Sequence, residues 1–490
     1  VDFTPQLSVG DGLAPAPLDQ APDGTVGYWL YRLARALDEQ TALASVYESY
    51  YAGDHPMQFA TSKFRETFGS LFSEFADNWC GVVVDSSVER LAVQGFRFGG
   101  TPDDDYAGDA DAWDVWQANS MDADSGLAHL EAVKTGHAYV IVDTGDPPRI
   151  TVEHPAEVVV AYEPGDRRRR IAALKRYLDY DRILHATVYL PEGTYRFRSR
   201  NVYEGTTGAE LRWEPDTPEH VANPFGGIIP VIPLRNNPSM LTGGRSDLDA
   251  VIDIQNAINK IVTDMVVASE YSAFRQRWAS GIEIPVDPET GRPNASRFLS
   301  SVSRMWVVED DTAKFGEFDV TDLGNYVKAV EMLIQHLAAQ TRTPPHYLTA
   351  GLGQWPSGDS LKASETGLVA KVRRKQLDFS EAWEEAIRLA FYAMGDMERA
   401  QATDAEVIWS DPEFRTEGER VDALTKMATL GVPNEALWQR WGATPQEISR
   451  WTEMADREAK RNALAAGNVP VTVTVPTPPQ TDVSTASEGT

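Results

Sequence analysis

Between positions 246 and 281 the chain reads SDLDAVIDIQNAINKIVTDMVVASEYSAFRQRWASG, with apolar side chains returning at Leu248, Val251, Ile252, Ile258, Ile261, Val262, Met265 and Val266. This i, i+3, i+4 rhythm predicts one long helix over 246–280. Ser246 suits its N-cap, Asp247 and Asp249 fall in its first turn, and Gly281 is its stop. At 1.5 Å per residue it would be about 50 Å long, beyond the usual three or four turns. Gln255, Asn256 and Asn259 interrupt the stripe, so it is not a clean coiled-coil seam. A helix of this length needs neighbours, and other copies of the chain would supply them.

The rest of the pattern divides into blocks. Residues 1–24, rich in Pro, Gly and Asp, read as an arm. Trp29, Leu30, Leu33, Leu37, Val46, Tyr47 and Tyr50 predict a helix over 28–50. Phe64, Phe68, Leu71, Phe72, Phe75, Trp79, Val82 and Val83 hold one face of another, an aromatic stripe that reads as core. A short strand is expected over 90–98, an acidic surface loop over 101–108, helices around 110–118 and 126–134, and an apolar strand over 137–143. From 150 to about 221 the texture is strands and turns: Val158–Tyr162 and Ile171–Tyr177 flank Glu163-Pro-Gly-Asp, and His185–Leu190 and Tyr195–Arg200 flank Pro191-Glu-Gly-Thr. Arg167–Arg170, the single tetrad of bases, reads as a solvated strand end. After 281 comes a compact insert with strands at Ile282–Val286 and Met305–Val308. A helix capped by Thr321 follows, with Leu323, Val327, Val330, Leu333, Ile334 and Leu337 on one face, ended by Thr343-Pro344-Pro345. Gly351–Gly358 (GLGQWPSG) is a glycine-rich loop. A third long helix, 359–394, carries Leu368, Val372, Phe379, Trp383, Ile387 and Phe391. Acidic helices fill 416–466, and the tail after Gly467 is low-complexity and expected to be disordered.

Charge changes the picture more than composition does. Across 490 residues, 73 acids against 45 bases leave −28. Such a surface repels nucleic acid and anionic membranes on average, because DNA binding normally rests on bases neutralising phosphates. The 42% apolar content and 13 Trp supply sizeable cores. No apolar run approaches the ~18 residues that span a bilayer, and the first residues lack a signal-peptide pattern, so a soluble protein is expected. Cys80 is the only cysteine, which rules out an internal disulfide and fits a reducing compartment; its apolar context reads as a buried, inert thiol.

Catalytic chemistry fails to appear. Gly358-Asp359-Ser360-Leu361 spells a hydrolase signature, but the base such enzymes place near the C-terminus is missing, the last histidine being His346. A helix start is the plainer reading. No P-loop occurs. Asp122-Ala-Asp124-Ser-Gly126 opens like a calcium loop, yet its twelfth position is Val133, where a bidentate Glu is needed. The eight histidines show no H-x-x-x-H spacing, which leaves zinc unsupported. No catalytic residue, metal or cofactor is assigned.

The order of blocks resembles the portal (head-to-tail connector) proteins of tailed bacteriophages, in the branch common among phages of Gram-positive hosts. The resemblance runs from about Tyr28 to Ala466. It is carried by Phe64–Phe98, Pro230–Gly281 and Pro344–Phe379, the last including PSGDSLKASETGLVAKVRRKQLDF. It implies an α+β portal fold, mainly helical. Its parts are an arm (1–24), a β-rich wing (25–240), stem helices (246–280 and 321–342), a small α/β clip (281–320), a tunnel loop (349–360), a long wing/crown helix (361–395) and a crown (396–466). About twelve copies would form a ring around a channel. The stem would pack through Leu248, Val251, Ile252, Ile258, Ile261, Val262 and Met265, and the loop would present Gly351, Gln354, Trp355, Ser357 and Gly358 to the channel. Lys362, Lys371, Arg373, Arg374 and Lys375 would touch either passing phosphates or acids of a neighbouring subunit. The implied partners are other copies, the terminase large subunit, a head-tail adaptor, major capsid and scaffold proteins, and double-stranded DNA passing without sequence preference; no membrane is involved. The implied place is one capsid vertex of the virion, with assembly in the host cytoplasm. Two other readings stand beside it: a carbohydrate-binding or carbohydrate-acting protein, suggested by the many Trp and acids, and a non-portal capsid-associated scaffold.

Overall fold

A computed structural model describes residues 22–55, 77–98, 108–200, 202, 212–240, 243–273, 277–281, 314–317, 322–348, 358–413 and 417–465. Helix α1 (Val26–Ala52) starts where the Thr25 hydroxyl accepts the Tyr28 N–H at 3.3 Å, and stops at Gly53, whose φ of 86° favours glycine. It serves two cores. Its first half buries Leu30, Leu33, Ala34 and Leu37 against a sheet, and its second half sends Tyr47 and Tyr50 into the main core. The expected aromatic helix lies largely outside the described residues; of its stripe, Trp79, Val82 and Val83 are seen at α2 (Cys80–Val88), with Val83 buried.

Strand β1 (Val93–Arg97), helices α3 (Ala110–Ala118) and α4 (Met121–Thr135) and strand β2 (His137–Asp143) follow. β2 pairs antiparallel with β3 (Arg149–Glu153) on one side and with β9 (Val231–Arg235) on the other. Between them lies a five-stranded antiparallel meander of β4 (Val158–Glu163), β5 (Asp166–Leu178), β6 (Leu184–Leu190), β7 (Gly193–Ser199) and β8 (Trp213–Ala222). Strict alternation along β6 and β7 puts Ala186, Val188, Tyr195 and Phe197 under α1. Both predicted hairpins are present. Of the arginine tetrad, Arg170 is no solvated end: its guanidinium pairs with Glu385 and donates to the Ile229 carbonyl, tying the meander to the main body.

The expected 246–280 helix is shorter than predicted. Ser246 does cap, accepting the Leu248 N–H at 2.9 Å, but what it caps is a 3-10 turn, Asp247–Ala250. Helix α5 runs from Ile252 to Ala273. Residues 277–280 form β10 (Arg277–Ser280), paired antiparallel with β11 (Lys314–Glu317). That pairing partner lies more than thirty residues on, invisible to a local pattern. The two strands expected inside the insert fall outside the described residues. Helix α6 (Gly324–Thr341) returns alongside α5 and ends at Arg342, φ 57°.

After a short turn, Pro345–Leu348, α7 (Gly358–Met394) forms the central girder, 37 residues and about 55 Å long. Its expected stripe is buried throughout: Leu368, Val372, Phe379, Trp383, Ile387 and Phe391 all lie in the main core. Trp383 meets Trp116 edge-on at 5.0 Å, and its indole N–H donates to His129 Nε2 at 2.9 Å. Strand β12 (Glu406–Trp409) adds to β1, and helices α8 (Glu417–Thr429), α9 (Asn434–Trp441) and α10 (Pro445–Ala465) are the last described elements. No described helix is long and apolar enough to cross a membrane.

Candidate assembly and channel elements

Among the described residues, the stem pair is anchored at its root. Leu248, Val251 and Ile258 are fully buried, while Ile252, Ile261, Val262 and Met265 are half-buried. Farther along α5 and across α6, Val266, Val327 and Met332 are exposed. The polar interruptions explain the anchoring. Gln255 accepts the Trp79 N–H at 2.8 Å, Asn256 accepts the Tyr50 hydroxyl at 3.0 Å, and Asn259 accepts the Asp77 N–H at 3.2 Å. These amides satisfy the backbone just before α2 and clamp the root of α5 to α1. Beyond the clamp, apolar surface worth about 25 cal/mol per Å² on burial is left without cover from the described residues.

At the root, three segments meet on one carboxylate. Asp247 Oδ1 accepts from Lys375 at 2.7 Å, Asn236 at 2.9 Å and Asn237 at 2.7 Å, and Oδ2 lies 2.7 Å from Lys371 Nζ. Lys371 also donates to the Thr341 carbonyl at the end of α6. Lys375 is wholly buried; burial lowers its ammonium to about 8, although Asp247 opposes the shift. Burial alone would raise the Asp247 carboxyl, but the two lysines outweigh it and hold it well below the usual carboxylate range. This corrects the expectation for Lys371 and Lys375. They close an internal joint between α7, α6 and the stem root, and Lys375 has no surface for a phosphate or a neighbour. The sequence hid this because Asp247 is 128 positions away from Lys375.

Lys362, Arg373 and Arg374 do lie on the surface, each beside an acid of its own chain: Lys362 with Glu419, Arg373 with Glu413 at 2.7 Å, Arg374 with Asp378 at 3.2 Å. Gly351, Gln354, Trp355 and Ser357 lie outside the described residues, and Gly358 is the first residue of α7. Both roots of that loop are tied together by a residue the sequence did not single out. Arg90 donates to the Tyr347 hydroxyl at 2.8 Å and the Pro412 carbonyl at 2.9 Å, and lies 3.4 Å from Glu365 in α7.

Among the described residues, the other groups singled out by their chemistry sit in ordinary structural surroundings. Ser360 sits in the first turn of α7, and Asp122 to Val133 lie within α4. Burial pushes the Cys80 thiol up to about 12. Glu48, Glu131 and His154 are close enough to hold a cation, but Lys134 Nζ already lies 2.7 Å from both carboxylates.

A family model described as "Phage portal protein, SPP1 Gp6-like" matches residues 37–461. The portal protein of Mycobacterium phage D29 is 32% identical over 395 residues, covering 76% of this chain and 77% of that one. The portal protein of Mycobacterium phage L5 is 31% identical over 398 residues, with the same coverage. With a match this extensive, on a mixed fold of long helices and antiparallel sheets, the chain belongs to the phage portal protein family.

Proposed function

We propose that copies of this chain, about twelve, close head-to-tail into a ring at a single capsid vertex, forming the channel through which double-stranded DNA is packaged and ejected. In this reading the ring is also the docking site for the terminase large subunit and later for head-tail adaptors, and it contacts capsid and scaffold proteins. Family membership supports a structural component of the virion. The observation that carries the ring is the stem, rooted by Gln255, Asn256 and Asn259 yet apolar beyond, at Ile261, Val262, Met265, Val266, Val327 and Met332. A head-to-tail contact covers one face of each copy with a different face of the next and leaves none open.

The charge suits a conduit. A wall carrying −28 per chain makes few lasting phosphate contacts, whereas a basic lining would hold the duplex in place. The loop with Gly351, Gln354, Trp355 and Ser357 is proposed to line the narrowest part, with Trp355 turned either to DNA or to a neighbouring subunit. Lys362, Arg373 and Arg374 would face passing phosphates or a neighbour's acids. The wing, stem, clip and crown are proposed at the boundaries given above, with the stem's helix shortened to α5. Electron microscopy of assembled capsids tests the reading: density for this chain at one vertex per particle is expected, and copies spread over many vertices would refute it.

A further inference from the structure

A cleft of about 860 Å³ is bounded by α7, the β1–β12 pair, α8 and α9. In a chain with 73 acids against 45 bases, its walls carry the opposite balance: Arg97, Arg373, Arg420 and Arg440 against Asp411 alone. Arg373 is neutralised by Glu413 at 2.7 Å, and Arg97 lies 3.7 Å from Glu406. Arg420 and Arg440 pair with no acid among the described residues. Arg420 donates to the Trp441 carbonyl at 3.3 Å, and Arg440 reaches the Met427 sulfur, a weak acceptor, at 3.4 Å. Two donors of the same walls are buried and unmet. Arg97 donates through a terminal nitrogen to Gln439 Oε1 at 3.3 Å, which fixes the orientation of that amide. This leaves Gln439 Nε2 and Arg97 Nε without an acceptor among the described residues. Buried N–H groups are almost always paired, so two unmet ones from residues lining one cleft call for an acceptor from outside.

We propose that this cleft binds a phosphate group, either free or carried on a nucleic-acid backbone. Guanidinium forks match phosphate oxygens two at a time and stay charged at any working pH. A carboxylate presents two oxygens to the four donor-bearing side chains of Arg97, Arg420, Gln439 and Arg440; a phosphate presents three and carries up to twice the charge. The chain as a whole carries −28 and repels such anions, so binding concentrates at this exception. Every wall comes from one chain, and the site therefore stands apart from the ring reading.

Calorimetric titration of the full chain at low salt, with inorganic phosphate and separately with a short DNA duplex, tests the site. Arg440→Gln, at an exposed position, should keep its helical circular dichroism and weaken binding at least about tenfold, the scale of one charged hydrogen bond. Arg97→Gln, which also frees the Gln439 amide, should lose more. Arg168→Gln removes the same charge from an exposed position on β5, outside the cleft, and should change nothing. Binding of inorganic phosphate with this variant pattern supports a free ligand, and binding of the duplex alone with the same pattern supports a nucleic-acid backbone. No binding of either probe, wild-type affinity in Arg440→Gln, or an equal loss in Arg168→Gln overturns the proposal, the last by reducing it to overall charge. A poly-glutamate peptide that binds more tightly than both probes overturns it in favour of an acidic peptide.

Discussion

Asp247→Ala removes the carboxylate on which the stem root, the end of α6 and the middle of α7 converge. Lys375, with none of its side chain exposed, then loses its hydrogen-bonded counter-ion and keeps its charge beside Lys371, with Asp378 the remaining acid acting on it. Breaking a buried pair this way costs about 3–5 kcal/mol, and the Asn236 and Asn237 amides lose their acceptor as well. The variant should therefore unfold at markedly lower urea, followed by helical circular dichroism. The deficit should also depend on pH, with a definite sign. Burial lowers Lys375 from its ordinary 10.5 to about 8 even with Asp247 opposing it. Without Asp247, burial lowers it further. Above that lowered value the unfolded chain binds a proton that the folded chain does not, so the variant recovers stability as pH rises, by up to about 1.4 kcal/mol per unit. The wild type gains nothing from this group until pH passes about 8. The deficit should accordingly be greatest near pH 6 and shrink toward pH 8. Asp247→Asn, which preserves shape and an acceptor, should show the same pH trend. A deficit below about 1 kcal/mol, or one identical at both pH values, would refute the buried joint.

Other consequences are checked more simply. Ile261→Asp puts a charge on the half-buried stem face; where a neighbour covers that face the charge is buried unpaired, so rings should be lost in sedimentation while the isolated chain stays helical. Wild-type rings from this variant would contradict the stem packing. Deleting residues 349–357 should impair DNA packaging and leave ring assembly unchanged; normal packaging counts against the channel-lining role. Burial holds the His129 imidazole down to about 3, between the Leu91 carbonyl and the Trp383 N–H, so its ring proton signals should not titrate between pH 8 and 5. A titration near 6.5 would mean that the His129–Trp383 core is open to water.

Much of the scaffold was legible because it is local. Strand β2 and helix α3 fall on their predicted bounds, and α7 begins one residue early, since hydrophobic period and turn chemistry act over a few residues. What stayed hidden depends on partners far along the chain. Strand β12 lies in the short stretch between the long helix α7 and the acidic helices and becomes a strand because β1, more than three hundred residues earlier, offers Phe96 opposite Val407. Gln255, Asn256 and Asn259 looked like flaws in a stripe and are instead the clamp that roots it. Lys371 and Lys375 looked like surface bases beside a loop; only the fold brings Asp247 to them. Arg90 gave no signal at all, since its partners Tyr347, Glu365 and Pro412 come from three distant segments.

The central claim is that this acidic chain works by closing with copies of itself around an opening. The most direct measurement is the native mass of the purified protein, taken together with negative-stain images of the same sample. The account predicts a particle of about twelve chains, seen end-on as an annulus with a hole wide enough for a DNA duplex. A solitary, compact chain at every concentration, or closed particles with no central opening, would contradict it.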